Sequence, residues 1–417
     1  MKKLWVVLLA LAVVATLLTA ACEGTAEETT TEGATTTTQP ATAQGEPITS
    51  GTIAVCLPAM DNPLMLEIKR SFEEGFGGTF DVKVSSADGN ANTQAQQVEN
   101  YTAMGVDFMC VMAVEATSLV PKLEAAQAAG IPVMVIGGDP GTDKLAMIMK
   151  MDQYLAGQYC ALMAKKWVEK TFPGAADGSI ETVVFTSSLT TEALQRTNGI
   201  LRISEPYLMD WEGAYTDAEG NPISDKDGNY LEGQSEADRV DNPAYCPAVN
   251  IVQTPTADMF VPGQTAMQNV LTTNPDVKLV LAYASDGGSG ASQAIKDEIA
   301  KGAGSVITDP TKIAVFGVGV IGPEVGSIIA ASTGDGFLRG AVSFGGVPDP
   351  PPAPPALGAK TAMLVQKILG GEVYDRVIWD ELDLVTAIDG QMVSVSMPPI
   401  GVLTAAAAAL ADGTVAP

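Results

Sequence analysis

Short apolar runs alternate with segments of helical spacing along this chain, and the alternation runs through twice. Residues 51–57, Gly-Thr-Ile-Ala-Val-Cys-Leu, read as a strand ended by Pro58 and the Asp61-Asn62-Pro63 turn. Apolar residues then recur every fourth place, at Leu64, Ile68, Phe72 and Phe76, which predicts a helix over 64–76. Strands are predicted over 80–84, 108–112, 131–136 and 147–151. Helices over 91–104 and 118–129 separate them, with Gly105 and Gly130 where helix stops are wanted. A second round starts with a helix over 154–171. Strands follow over 181–185, 251–253, 277–283, 312–316 and 337–344, with helices over 192–203, 262–273, 289–301 and 324–331 between them. A helix over 357–369 and an extended stretch over 375–384 come last. Strands alternating with helices of about 10–15 residues mean βαβ units and parallel sheets. The fold class is therefore α/β, with two similar units in series.

Length and charge narrow the functions. At about 150 residues per domain, 417 residues make two or three domains. Lys and Arg number 23 against 49 Asp and Glu, a net charge of -26, and such a field repels nucleic acid. The absence of histidine excludes a His-dependent triad and a His-ligated metal. Five cysteines are too few for a disulfide-built fold. Cys56 and Cys110 read as buried thiols at the ends of neighbouring strands, and any pairing with Cys160 or Cys246 stays open. No spaced acid pair, nucleophile elbow or P-loop is found, so no enzyme activity, cofactor or metal is expected.

Three stretches break the rhythm. Lys2 and Lys3 precede an apolar run over 4–18, so residues 1–21 read as a signal peptide. Its end resembles the lipobox of bacterial lipoproteins, with Cys22 as the lipidated residue, although Thr19 stands where a leucine-like residue is usual. Cleavage after Ala20 or Ala21 with a free Cys22 is the alternative. Residues 22–49, rich in threonine, read as a flexible tether from a membrane lipid anchor. Residues 205–249 hold many Asp and Glu among Gly and Asn and read as an acidic surface insertion. Within it, Asp225 to Glu232 spaces oxygens like a calcium loop, but Tyr230 occupies the glycine position, so acidic hairpin turns are expected. Residues 345–356 are proline-rich and read as a stiff crossing segment.

Several motifs, taken in order, carry a resemblance. They are Asp61-Asn62-Pro63-Leu64 after the first strand, Ala103-Met104-Gly105-Val106-Asp107, the run 126–136, Gln195-Arg196-Thr197-Asn198-Gly199, and the run 270–282. Together they resemble the periplasmic-binding-protein type 1 family near its ribose- and galactose-like sugar members, from about residue 53 to 384. The resemblance implies two Rossmann-like lobes with parallel sheets, joined by three crossing segments and closing on a small ligand. The N-terminal lobe would take 50–152 plus 345–378, and the C-terminal lobe 153–344 plus 379–400, carrying the insertion 205–249. Ligands of open α/β sheets bind outside the C-terminal strand ends, which suits this reading independently.

The resemblance also implies site residues. Asn62, Leu64 and Met65 would meet the ligand after the first strand, and Arg196 matches the pocket arginine of an Arg-x-x-Gly context. Ser285 and Asp286 match an Asn-Asp pair, and Phe344 falls near a late glutamine. Gly137-Gly138 stand in place of Asp-Arg, so Asp139 would reach in one residue later, with Gln94 or Asp152 as further contacts. Gly317, Val318 and Gly319 replace a loop that carries Asp in relatives, and the four glycines 137, 138, 317 and 319 leave room for a larger ligand. The expected function is the substrate-binding lipoprotein of an ABC-type importer, passing a small polar solute, sugar or sugar-like, to a permease. A ligand sensor of the same fold feeding a membrane receptor, or a surface structural or adhesive protein, are the alternatives.

Overall fold

The computed structural model describes residues 47–397 except 61–62, 188–189, 219, 321–322, 345–356, 373, 381 and 389–390. Cys22, the signal peptide, most of the tether, Asn62 and the proline-rich segment lie outside the described residues. The chain runs β1 (Gly51–Leu57), α1 (Pro63–Phe76), β2 (Phe80–Ser86), α2 (Ala91–Met104), β3 (Phe108–Met112), α3 (Ala116–Ala128), β4 (Val133–Gly137) and β5 (Met147–Lys150). It continues with α4 (Gln153–Thr171), β6 (Ile180–Phe185), α5 (Thr191–Leu201), β7 (Val249–Gln253), α6 (Phe260–Thr273), β8 (Leu279–Ala282), α7 (Ser285–Ile299), β9 (Ala314–Val318), α8 (Pro323–Ser332) and β10 (Leu338–Phe344). Then come α9 (Leu357–Leu369), β11 (Val377–Trp379), β12 (Leu382–Ile388) and β13 (Gln391–Met397).

These elements build two sheets. One has the order β11-β5-β4-β3-β1-β2, with every pairing parallel. The other has the order β13-β12-β10-β9-β8-β6-β7, parallel from β7 to β10 and antiparallel at the β12 and β13 edge. Strands covered on both faces read as continuous apolar runs, which is why Ile53 to Leu57 are all buried. Side chains of β1 alternate between two cores: Ile53, Val55 and Leu57 pack with Phe72 of α1, while Ala54 and Cys56 pack with Val98 of α2 and Leu123 of α3. Cys110 shares the first core and Cys56 the second, so the two thiols lie on opposite faces of the sheet. All four described cysteines are free and buried.

The lobes are linked where the chain leaves one sheet for the other. After β5 the chain enters α4, which packs on β8, β9 and β10. Helix α9 returns to the first sheet and packs on α1. Strand β11 pairs with β5, and the chain then passes through Asp380 into β12. Lys360 of α9 pairs with the fully buried Asp380 at 2.6 Å, and the Asp380 N–H donates to the Lys150 carbonyl.

Two elements differ from the sequence expectation. Helix α7 starts at Ser285 rather than 289, although Ser-Asp-Gly-Gly-Ser-Gly reads as loop. Its glycines serve close packing: a β-carbon at Gly290 would fall 2.0 Å from the Phe260 carbonyl of α6. The extended stretch over 375–384 resolves into β11 and the start of the β12–β13 hairpin.

The acidic insertion is built by repetition. Asp210, Asp217 and Asp225 each donate a backbone N–H to the carbonyl four residues on, at Ala214, Asn221 and Asn229. Each carboxylate accepts N–H groups from its own turn, and Gly213, Gly220 and Gly228 take the positive φ those turns need. The Asp225 carboxylate is thus engaged by Asp227 and Asn229 in a hairpin turn. Arg239 holds the segment together, its guanidinium 5.0, 4.3 and 5.6 Å from the rings of Tyr207, Tyr215 and Tyr230.

Candidate functional site

Both sheets change strand direction of winding at one point, between β1 and β3 in the first and between β6 and β8 in the second. Crevices at such points are where open α/β sheets bind ligands. Here both open onto one cavity of about 800 Å³. Met60 and Met112 line it from one lobe, and Tyr283, Ser285 and Arg196 from the other.

Arg196 is the centre of the cavity's polar wall. Its Nε and Nη2 donate to Gln153 Oε1 at 2.9 and 2.5 Å, and its Nη1 donates to the Tyr283 carbonyl at 3.1 Å. The guanidinium lies 5.3 Å from the Tyr283 ring and 5.1 Å from the Phe344 ring. Burial lowers its pKa, and the nearby Tyr283 and Glu192 oppose that shift. Among the described residues three of the five arginine N–H donors find partners, which leaves two for a ligand. The position depends on a close helix crossing: a β-carbon at Gly157 of α4 would fall 2.2 Å from the Arg196 carbonyl of α5.

The other expected residues separate into two groups. Leu64, Met65, Arg196, Ser285, Asp286 and Phe344 all line this cavity. Ser285 is buried and its Oγ has no hydrogen-bond partner among the described residues. Space at Gly317 is not open, because a β-carbon there would fall 2.6 Å from Ser285 Oγ. Asp286 accepts the Phe260 N–H at 3.0 Å and so serves the first turn of α6; burial, with the Asp258 charge, raises its pKa. Asp139 lies elsewhere, in an adjoining cavity of about 540 Å³, where it is paired with Lys150. Gln94 is fully buried and shapes the loop after β3, bonding Met112 O and the Val114 N–H. Asn62 lies outside the described residues.

The sequence reading missed Gln153, Tyr283 and Glu192. Gln153 opens α4 directly after a crossing, and Tyr283 directly follows β8, which are the places where strand-end chemistry concentrates. The adjoining cavity also borders Asp152, which caps α4 through the Leu155 N–H at 2.8 Å. Burial raises the Asp152 pKa from 3.8 to about 6, against the opposing bonds of Leu155 and Tyr154 N–H. The folded state therefore holds this proton more tightly than the unfolded chain. The stabilising contribution is complete below pH 3.8 and is lost as pH rises through about 6. Asp152→Asn, which keeps the cap, is expected to flatten the fall in the urea midpoint across that window; an unaltered slope would assign the fall to other groups.

Among the described residues carboxylates dominate the larger cavity, where Asp88, Glu192, Asp258, Asp286 and Glu324 line the space against the one cation Arg196. The balance disfavours anions and suits hydroxyl groups, which donate to carboxylates. Among the described residues no cluster of three Cys, Asp or Glu is arranged to hold a metal ion.

Residues 53–372 match the family described as periplasmic binding protein domain. A xylitol-binding protein of Mycolicibacterium smegmatis is 35% identical over 83 residues, 20% of this chain and 24% of that protein. The ribose import binding protein of Bacillus subtilis is 21% identical over 246 residues, 58% of this chain and 65% of that protein. The aligned parts thus span less than two thirds of each relative. Among solved structures, an ABC transporter periplasmic solute binding protein from Actinobacillus succinogenes 130z with bound D-allose superposes with a TM-score of 0.56 at 17% identity, over 81% of this chain and 98% of that one. At that identity the likeness is one of fold. With the family match running over most of its length, and with two parallel-sheet lobes facing one cleft, the chain belongs to the periplasmic binding protein family and has its type 1 architecture.

Proposed function

We propose that the protein is the substrate-binding component of an ABC-type importer, which captures a polyhydroxy solute between its lobes and delivers it to a permease. One observation carries this: both winding reversals open onto the same cavity, beside an arginine with two donors to spare. Relatives named for xylitol and ribose support a sugar or sugar-like solute. Leu64, Met65, Ser285, Asp286 and Phe344 would enclose it, with Arg196 and Asn62 as polar anchors. The lobes would be 50–152 plus 345–378 and 153–344 plus 379–400. Lipid on Cys22 and the tether 22–49 would hold the protein outside the cytoplasmic membrane, at its outer face or in the periplasm.

Native mass spectrometry of the protein as purified, then a thermal-shift screen of pentoses, hexoses, polyols and nucleosides, tests this. Ligand bound only by the folded state adds about 2.7 kcal/mol at a hundred times its Kd. A melting temperature that rises and saturates with one compound class is the expected result. No carried mass and no shift with any compound would put the non-transport surface protein in its place.

A further inference from the structure

The cleft has a second compartment that the family resemblance does not supply. It adjoins the cavity beside Arg196, and Gly137, Gly138, Gln153 and Glu192 border both. Gly138, Glu192 and Ala116 meet at the border between them: a β-carbon at Gly138 would fall 2.6 Å from Glu192 Oε1 and 3.3 Å from the Ala116 Cβ. A ligand that spans both compartments therefore has to displace the Glu192 carboxylate, the far end of a flexible side chain. Across that border the outer wall is the insertion, which contributes Leu208, Met209, Trp211 and Thr216.

That wall is fixed to the cleft helices at three consecutive carbonyls. Tyr154 Oη of α4 donates to Met209 O at 2.7 Å, Arg202 Nη2 to Asp210 O at 3.0 Å, and Asn198 Nδ2 of α5 to Trp211 O at 2.9 Å. Side chains that lock a loop from behind give the precision a binding wall needs. Trp211 is half-buried and lines the compartment, so it offers an aromatic surface to the apolar C–H face of a sugar ring. Among the described residues Glu115, Asp139, Asp152, Glu192, Asp210 and Asp217 line the same space, against one cation, Lys150, which is already paired with Asp139. Phosphorylated or uronic-acid ligands are repelled there, whereas neutral hydroxyls find acceptors. The two compartments together exceed the about 300–1,000 Å³ usual for small-molecule sites.

We propose that the protein takes an uncharged glycoside of at least two sugar rings, with one ring beside Arg196 and the next against Trp211. The inference rests on the solute-binding reading above. The test is isothermal titration of the whole protein with D-glucose, D-galactose and D-xylose, and with maltose, cellobiose, lactose, melibiose and xylobiose. At least one disaccharide is expected to bind about ten-fold tighter than the monosaccharide it contains, as a second well-packed aromatic contact allows. Trp211→Ala is expected to bring that ratio to about one, and Trp211→Phe to restore most of it. Monosaccharides that bind with no gain from a second ring overturn the inference and leave the solute-binding reading standing. So does a ratio that Trp211→Ala leaves intact. Failure of every sugar to bind overturns the inference, while the solute-binding reading stands or falls with the wider thermal-shift screen.

Discussion

Arg196→Ala is expected to weaken solute binding about 100-fold, the loss of roughly two hydrogen bonds made by a charged donor. The guanidinium brings two unused N–H groups to the cavity and is held between the Tyr283 and Phe344 rings. Its removal also strips both donors from Oε1 of Gln153, a residue only 4% exposed, and one from the Tyr283 carbonyl. Each buried acceptor left unmatched costs about 1–3 kcal/mol, so the wall reorganises as well. Arg196→Lys keeps the charge but cannot span Gln153 and Tyr283 together, and an intermediate affinity is expected. Titration with whichever compound raises the melting temperature reads the effect. An alanine variant that binds as tightly as the parent would remove Arg196 from the site.

The largest effect on stability is expected at Lys360. Its ammonium lies 2.6 Å from Asp380, a carboxylate with no exposed surface, where the chain leaves β11 for β12. Deleting one member of a fully buried ion pair costs about 3–5 kcal/mol; Lys360 is 30% exposed and Asp380 has further partners, so a smaller loss of about 1–3 kcal/mol is expected. Lys360→Met should lower the urea unfolding midpoint accordingly. The double variant Lys360→Met with Asp380→Asn should recover a large part of that loss. A midpoint that does not move in the single variant would show that other neighbours already compensate the carboxylate.

Much of this architecture was legible because its cause is local. Parallel strands buried on both faces appear as unbroken apolar runs, and Leu64, Ile68, Phe72 and Phe76 mark one helix face. Arg196 stood out because its motif is compact, five residues on one helix. What the sequence hid depends on distant partners. The glycines of α7 read as loop until α6 is seen against them. The β12–β13 hairpin is defined by pairing with β10, not by its own residues. Trp211 reaches the cleft only because Tyr154, Asn198 and Arg202 hold the carbonyls around it. Asp139 was expected beside the ligand; it lines the adjoining compartment, and nothing in the order of residues says that Lys150, eleven places on, would pair with it.

The buried cysteines have a use in reporting motion. Burial pushes the Cys56 thiol up to about 12, and it raises Cys110, Cys160 and Cys246 as well. Thiolate is the nucleophile, so these four groups are chemically silent toward maleimides at neutral pH. A cysteine introduced at Leu194, 38% exposed on the cleft helix α5, would be the fast-reacting thiol among the described residues. A solvent-sensitive dye attached there would report any change in the solvent exposure of that helix face when a candidate solute is added. The fold thereby supplies a quiet background for a fluorescent sensor, with no native cysteine to remove from its core.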